Sequence, residues 1–513
     1  MKYFERAVLS VVVAVFSIGL GAAQAETTIT WPTQLFYKTM NPAAVFDTET
    51  YIIGNVYETL FFYEDGEIKP RLAMSWEKSD GGKVWTVKLR QGVKFHDGTL
   101  LDSKAVKKSF EYTRDLGKGA GYLYADLETV DTPDDETAVF RFKKPIAFDL
   151  VASGQYGSYV IGPKAIDMGA EWMDQGNSVG TGPYKLTQFK STEITVIEKF
   201  DDYWGGWTEG QVDRVVQPVV LESSTRVQML RAGEADITNV PISQIQALKD
   251  TPSIAVAVSK GWRNSQYHFN TQKYPTDNLM FRQALSHLWD YDAVLNNIFQ
   301  GYATKPVGPV PATMWGHGNY DAAKFDPKEA LALLEKSGVP RSDWKITAMY
   351  SNSNQEQIDA IELFQANASS IGLEVELLPQ QSSKTYLTKA RSLETSANMH
   401  SMLWYPAYPT PSDWLYSQYR TNPKTGFNLA YYTNPKFDDA LAKAIEEEGV
   451  DTKAAAQQYI AIQDMLMADA PAIFFADNDR ILVHSIRYEG FEASSNPAYE
   501  TLFIYKLRTT KTQ

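Results

Sequence analysis

No cysteine occurs anywhere in this chain of 513 residues, and that absence narrows what it can be more than any other feature. It rules out disulfides, thiolate metal sites and a lipid-anchored N-terminal cysteine alike. Residues 1–25 read as an export signal: Lys2 and Arg6 charge the start, Ala7 to Leu20 is apolar, and Ala23-Gln24-Ala25 is an A-x-A cleavage pattern. The apolar run falls short of the roughly 20 residues a membrane span needs. Cleavage is expected after Ala25, and export without a lipid anchor points to a Gram-negative periplasm. The remaining roughly 490 residues are too many for one hydrophobic core, so two or three lobes are expected. The net charge is −13 with acids and bases interspersed. So acidic a chain without a basic stripe argues against nucleic acid as a partner.

The pattern along the chain is that of an α/β protein. Leu72 to Glu77 and Val84 to Arg90 alternate like paired strands around the turn Asp80-Gly81-Gly82-Lys83. Asp102-Ser103 caps a helix from Lys104 to Arg114. Tyr51 to Leu60 has helical spacing, and Val212 to Val220, Ser223 to Ala232 and Asp236-Ile237 follow as strand, helix and strand, the crossover unit of an α/β lobe. A second lobe opens near Tyr267. It alternates the helices 327–337, 355–371 and 383–392 with the strands 345–350 and 374–378, then adds the helices 436–448 and 452–469. Ile473 to Phe475 and Ile481 to Ser485 return the chain to the first lobe, with Leu502 to Leu507 as a last strand. Crossings near 269 and 476 are of the kind about which two lobes hinge.

The segment from Met402 to Tyr419 stands out. Six of its eighteen residues are aromatic and three are proline (Pro406, Pro409, Pro411), with Asp413 its single acid. The prolines argue for an irregular segment held by packing. Tyr and Trp offer flat apolar surface with a polar edge, which suits the wall of a small-molecule pocket; the plainer alternative is an aromatic patch that fills a core.

Catalytic and metal signatures are weak. The six histidines, His400 among them, nowhere stand at metal-ligand spacing. Gly176-Asn177-Ser178-Val179-Gly180 matches a nucleophile elbow literally, but Pro183 and a strand pattern follow where a helix is required. No local spacing singles out a carboxylate pair, which leaves a secreted glycoside hydrolase as the enzymatic alternative. No catalytic residue, metal or cofactor is expected.

Leu72-Ala73-x-Ser75-Trp76 and the run Val84-Trp85-Thr86-Val87-Lys88-Leu89-Arg90-Gln91-Gly92-Val93-Lys94-Phe95-His96-Asp97-Gly98 resemble the signature region of the bacterial extracellular solute-binding proteins of family 5, the oligopeptide-, dipeptide- and nickel-binding group. Gly180-Thr181-Gly182-Pro183-Tyr184, Phe269-Asn270 with Phe281-Arg282-Gln283-Ala284-Leu285-Ser286-His287, and Tyr432-Thr433-Asn434-Pro435-x-Phe437-Asp438 match later parts in the family's order. The resemblance implies a two-lobed periplasmic binding protein fold (type II, cluster C) with an extra domain in the first lobe. After the signal, residues 26–55, 181–268 and 477–513 would form lobe I, 56–180 domain II, and 269–476 lobe III. It implies a monomer that performs no chemistry, captures a solute and presents it to an inner-membrane ABC permease.

Peptide binders of this family carry a pattern like Trp-x-Ala-Asp-Tyr-x-x-Pro, whose aspartate pairs with the peptide's α-amine. Over that pattern Trp404, Tyr408 and Pro411 match, but the aspartate position is Ala407. An enclosed ammonium without its carboxylate is strongly disfavoured, by about 3–5 kcal/mol for a broken buried pair. A peptide-like or peptide-sized ligand without a free α-amine is therefore expected, unless Asp413 moves in as the acid; the alternative for Asp413 is a helix cap. Oligosaccharide, glycoside and opine-type ligands stay compatible, stacking on Trp404, Tyr405, Tyr408 or Trp414 and bonding to Asn, Gln or Asp edges. His400 keeps a nickel complex open. By position in the family, Asn41 and the stretch holding Arg263 and Tyr267 face the cleft, Arg263 either receiving a ligand carboxylate or phosphate or serving as a surface arginine.

Overall fold

The computed structural model describes residues 26–510, so the export signal lies outside the described residues. Two bodies are joined by a long two-stranded ribbon. The first body holds two four-stranded sheets. In one, Thr28–Thr30 pairs in parallel with Arg214–Pro218, which continues antiparallel to Ile194–Lys199 and Tyr184–Lys190. In the other, Ala73–Ser79, Val84–Leu89, Thr137–Phe142 and Leu127–Asp134 are antiparallel neighbours. Alternation sets the burial: Trp85, Val87 and Leu89 point into the core and Lys88 points out. The tight turn at 80–82 depends on positive φ at Gly81 and Gly82. Asp102 caps the helix Ser103–Leu116 by accepting from the Ala105 amide at 2.7 Å. One hydrophobic cluster, from Ile29 and Trp85 through Phe148 to Leu507, unites both sheets.

A seven-stranded sheet runs from the second body into the first, where Ile237–Thr238 pairs with the end of the ribbon. Lys345–Ser351 pairs in parallel with Glu374–Gln380 and Met399–Trp404, with the helices Gln355–Ser370 and Ser383–Ala390 as crossovers. Met399–Trp404 pairs with Ile254–Phe269, which runs antiparallel to Ala472–Ser485. The helices Pro411–Tyr419, Pro435–Val450 and Thr452–Asp469 form a further apolar layer. Among the described residues no helix is long and apolar enough to cross a membrane.

Ile254–Phe269 and Ala472–Ser485 are the ribbon. Near 254–258 and 481–485 it packs beside the helices Ser223–Ala232 and Ile242–Lys249; Tyr267, Phe269, Ile473 and Phe475 lie in the core of the second body. The connection is thus a pair of continuous strands. Its irregularities are register shifts between Ser259 and Arg263 and between Ser265 and Gln266, whereas Phe269 and Ala476, at the expected crossings, sit inside the second core.

Four local expectations change. Arg214–Pro218 and Ile237–Thr238, read as the two strands of one crossover unit, belong to different sheets. Tyr51 to Leu60 is helical only over Thr50–Ile53: the Asn55 side chain binds the Leu502 carbonyl and the Ile504 amide, which draws the chain into a tertiary tie. Ile504–Lys506 is a 3-10 turn, and only Arg508–Thr509 forms a strand, against Tyr488–Glu489. The aromatic-proline segment is irregular only between Trp404 and Pro411. Pro411 opens the helix Pro411–Tyr419 at its first position, where the missing N–H has no intrahelical partner to lose.

Candidate functional site

The loop 405–410 leaves the sheet at Trp404 and is closed into a knot by Asp413, on the first turn of the next helix. Asp413 Oδ2 accepts from Trp404 Nε1 and from the Ala407 amide, both at 3.0 Å, and its Oδ1 accepts from Ser417 Oγ at 3.3 Å. The carboxylate is fully buried. Burial pushes it up to about 7, against the three hydrogen bonds, which favour the charged form. Asp413 is therefore the internal staple of the loop. It does not cap the helix, whose N-cap is Thr410, and it presents no acid to solvent.

The first body holds the same loop from the other side. The Gln155 amide donates to the Ala407 carbonyl at 2.9 Å, and Gln155 Nε2 donates to the Pro406 carbonyl at 2.5 Å. Gln155 Oε1 also accepts from Thr50 Oγ1 and from the Glu500 amide, both at 2.7 Å. Gly154 is required here, because a Cβ would stand 2.6 Å from the Ala407 carbonyl oxygen.

A cavity of about 360 Å³ opens on one side of the loop, between the bodies. Trp404, Tyr405 and Ala407 form its floor. Phe46 and Tyr156 of the first body face Phe427 of the second; the Phe46 ring lies 4.9 Å from Tyr156 and 5.9 Å from Phe427. Its charged lining is Lys38, Asp47, Lys384 and Arg391. On the other side of the loop, Tyr408, Ser412 and Tyr416 face Tyr122 and Ile146 across a second cavity of about 370 Å³.

Of the residues expected at the site, Trp404, Tyr405 and Ala407 are brought together at the first cavity and Tyr408 lines the second. The others lie elsewhere. Trp414 is fully buried against Trp262, and Tyr267 is fully buried with its hydroxyl on the Gln357 carbonyl at 3.0 Å. Asn41 is buried in its own turn, with Oδ1 on the Ala43 amide and Nδ2 on Tyr112. His400 is buried in the sheet; its Nε2 accepts from the Ala397 amide at 3.1 Å, and burial holds its imidazole down at about 3. Arg263 is half-buried and already engaged by the protein's own groups. Its Nε lies 2.9 Å from Glu500 Oε2 and its Nη2 donates to Tyr51 at 2.7 Å. Burial alone would raise Glu500, but the Arg263 and Arg480 guanidiniums hold it below the usual carboxylate range.

Lys38, Phe46, Gln155, Tyr156, Lys384, Arg391 and Phe427 were not singled out by sequence reasoning. One signal was present: Lys384, Leu387, Thr388 and Arg391 recur at i, i+3, i+4 and i+7, one face of the helix Ser383–Ala390 and its cap.

Comparison with known proteins agrees with this architecture. The model of the bacterial extracellular solute-binding proteins, family 5 Middle, matches residues 67–426. The glutathione-binding protein GsiB of Pectobacterium atrosepticum is 28% identical over 465 residues, covering 89% of this chain and 88% of that protein. The periplasmic binding protein DppA of Helicobacter pylori, solved with the peptide STSA, superposes with a TM-score of 0.82 at 27% identity, covering 94% of this chain and 98% of that one. A dipeptide-binding protein from Pseudoalteromonas, solved with Met-Leu, shares the fold at a TM-score of 0.82 and 22% identity, covering 94% and 100%.

Proposed function

This chain belongs to the bacterial extracellular solute-binding proteins of family 5, a family that binds solutes without transforming them, and from that membership we propose that it is the periplasmic component of an ABC importer, capturing a small peptide-like solute in the cavity floored by Trp404, Tyr405 and Ala407. The observation that carries the ligand class is the state of the acids at that floor. Ala407 stands where a peptide binder's aspartate is expected, and Asp413 is engaged by three internal donors. The cavity's one acid, Asp47, already meets Lys38 Nζ at 2.7 Å. Among the described residues lining the cavity no buried carboxylate is free to neutralise an enclosed ammonium, since Asp47 is half exposed and shared with Lys38, and an unpaired buried charge is strongly disfavoured.

The ligand is therefore a peptide-like solute whose amine is blocked, absent, or balanced by a carboxylate of its own. Glutathione, named for the Pectobacterium relative, satisfies the last condition, because its γ-linked glutamate keeps the ammonium beside its own α-carboxylate. A sugar is less well served: among the described residues lining the cavity there is no Asn or Gln to pair with hydroxyls. The test is a thermal-shift screen of mature protein, unfolded and refolded to strip ligand, against free di- and tripeptides, their N-acetyl forms, glutathione and oligosaccharides. Ligand at a hundredfold its Kd stabilises by about 2.7 kcal/mol, enough to raise the midpoint by a few degrees. Shifts with N-acetyl peptides or glutathione are expected; shifts confined to free peptides with an α-amine at a residue lacking its own carboxylate would overturn the reading.

A further inference from the structure

The chain as a whole carries −13, yet the lining of the interbody cavity carries three cations against one acid. The cations are arranged on opposite walls. Lys38 comes from the first body. Lys384 and Arg391 come from the second, on the helical face that also presents Leu387 and Thr388 to the cavity. Lys384 makes no ion pair among the described residues. Arg391 is fixed in place by two contacts: its Nε donates to the Gly426 carbonyl at 2.6 Å, and its guanidinium lies 4.6 Å over the Phe427 ring. Those contacts orient the guanidinium while its two terminal nitrogens make no hydrogen bond among the described residues. A planar fork held this way matches the two oxygens of a carboxylate.

Lys38 is paired with Asp47, but both side chains are more than half exposed. Exposed pairs are weak, about 0–1 kcal/mol, so a ligand anion can share Lys38 without a large penalty. A positive cavity wall on an acidic protein also focuses the local field and attracts anions selectively.

We propose that the cavity selects a peptide-like solute bearing two carboxylates, one received by Lys384 and the fork of Arg391, the other by Lys38 across the cleft. This deepens the reading given above and rests on it. A dianion of this kind joins cations on both bodies, so its charge contributes directly to holding the bodies together, whereas a neutral ligand of equal size leaves three cations facing one another around a single acid.

The experiment is calorimetric titration of refolded mature protein with N-acetyl-Glu-Gly, N-acetyl-Gln-Gly and the C-terminal amide of N-acetyl-Gln-Gly, which carry two, one and no carboxylates. A charged hydrogen bond contributes about 1.5–3 kcal/mol, so each carboxylate removed is expected to weaken binding by roughly 10-fold or more. Lys384→Gln, an exposed change that leaves folding alone, should weaken the diacid and leave the uncharged amide unaffected. Arg391→Lys, which keeps the charge but removes the fork, should weaken the diacid most. The proposal is overturned if the three compounds bind alike, or if Lys384→Gln weakens all three equally; the peptide-like reading survives both results. Binding of none of the three, with an oligosaccharide or free peptide bound instead, removes the peptide-like reading and this proposal together.

Discussion

Gly449→Ala should weaken ligand binding while leaving the unliganded protein at least as stable. Gly449 lies in the last turn of the helix Pro435–Val450 of the second body and packs directly against Pro145 and Ile146 of the first. A Cβ there would stand 2.4 Å from the Ile146 amide nitrogen and 2.7 Å from the Pro145 carbonyl carbon, both backbone atoms that cannot swing aside. Around it, Lys78 Nζ donates to the Val450 carbonyl at 2.7 Å and Lys144 meets Glu446 at 2.9 Å, so this corner is where the two bodies touch far from the ribbon. Overpacking such a contact costs about 1–3 kcal/mol. Within the second body alone, alanine in a helix is better than glycine by about 1 kcal/mol. The penalty therefore falls on the arrangement in which the bodies meet, and ligand binding must overcome it. Kd should rise by roughly 5- to 150-fold, the factor that 1–3 kcal/mol of coupling produces, while the unliganded thermal midpoint stays or rises slightly. Gly449 is preferable to Gly82, whose φ of +89° would add backbone strain to any substitution. Titration with the solute of largest thermal shift, beside a melt of the unliganded variant, decides the matter. An unchanged Kd with a lowered midpoint would refute the reasoning, because it would make the contact part of one folded body.

Other perturbations separate structure from recognition. Asp413→Ala leaves Trp404 Nε1 and the Ala407 amide without their acceptor, at about 1–3 kcal/mol for each buried donor, and should lower the thermal midpoint without admitting free peptides; Asp413→Asn should lower it less. Burial raises Asp413 to about 7 and Glu448 to about 8. Both are held above their unfolded values, so their contribution is complete below about pH 4 and is lost as pH rises towards 7 and 8, by at most about 1.4 kcal/mol per group per pH unit. The midpoint should fall between pH 5 and 8, and melts of Glu448→Gln across that range should give a flatter profile. Gln155→Ala removes the side-chain bonds to Pro406, Thr50 and Glu500 and should lower both the midpoint and ligand affinity, whereas a purely structural tie would move the midpoint alone.

Parts of the fold were legible because local signals agreed with tertiary demands. Gln355–Ser370 and Thr452–Asp469 each carry a capping side chain, Asn354 and Asp451, ahead of a helical apolar pattern, and both form as read. The ribbon was legible only in part: Ile473–Phe475 and Ile481–Ser485 read as returning segments of its second strand, but its first strand did not read as one. Asn264, Ser265 and Gln266 interrupt any apolar alternation, yet each is fully buried, bonded to Asp477, Asn478 and Gln418. A buried polar run satisfied by partners more than a hundred residues away looks like a loop in sequence, since nothing local announces the partners. Pro411 misled in the opposite way: proline forbids a helix interior but suits its first turn, and only the observed start distinguishes the two.

The cavity floor was legible for a related reason, and its charges were not. Trp404, Tyr405 and Ala407 are consecutive enough that one loop places them together, so a motif in sequence becomes a surface in space. Lys384 and Arg391 recur at helical spacing like any solvated face, and only the docking of their helix beside Phe427 turns that face into a wall. The staple formed by Asp413 explains how the acid at 407 can be absent without loosening the loop. Ala407 engages through its backbone alone, its amide on Asp413 and its carbonyl on the Gln155 amide. A loop whose shape is fixed by main-chain bonds tolerates any small side chain at that position. Ligand class can then change through the charges on the surrounding walls while the floor keeps its geometry.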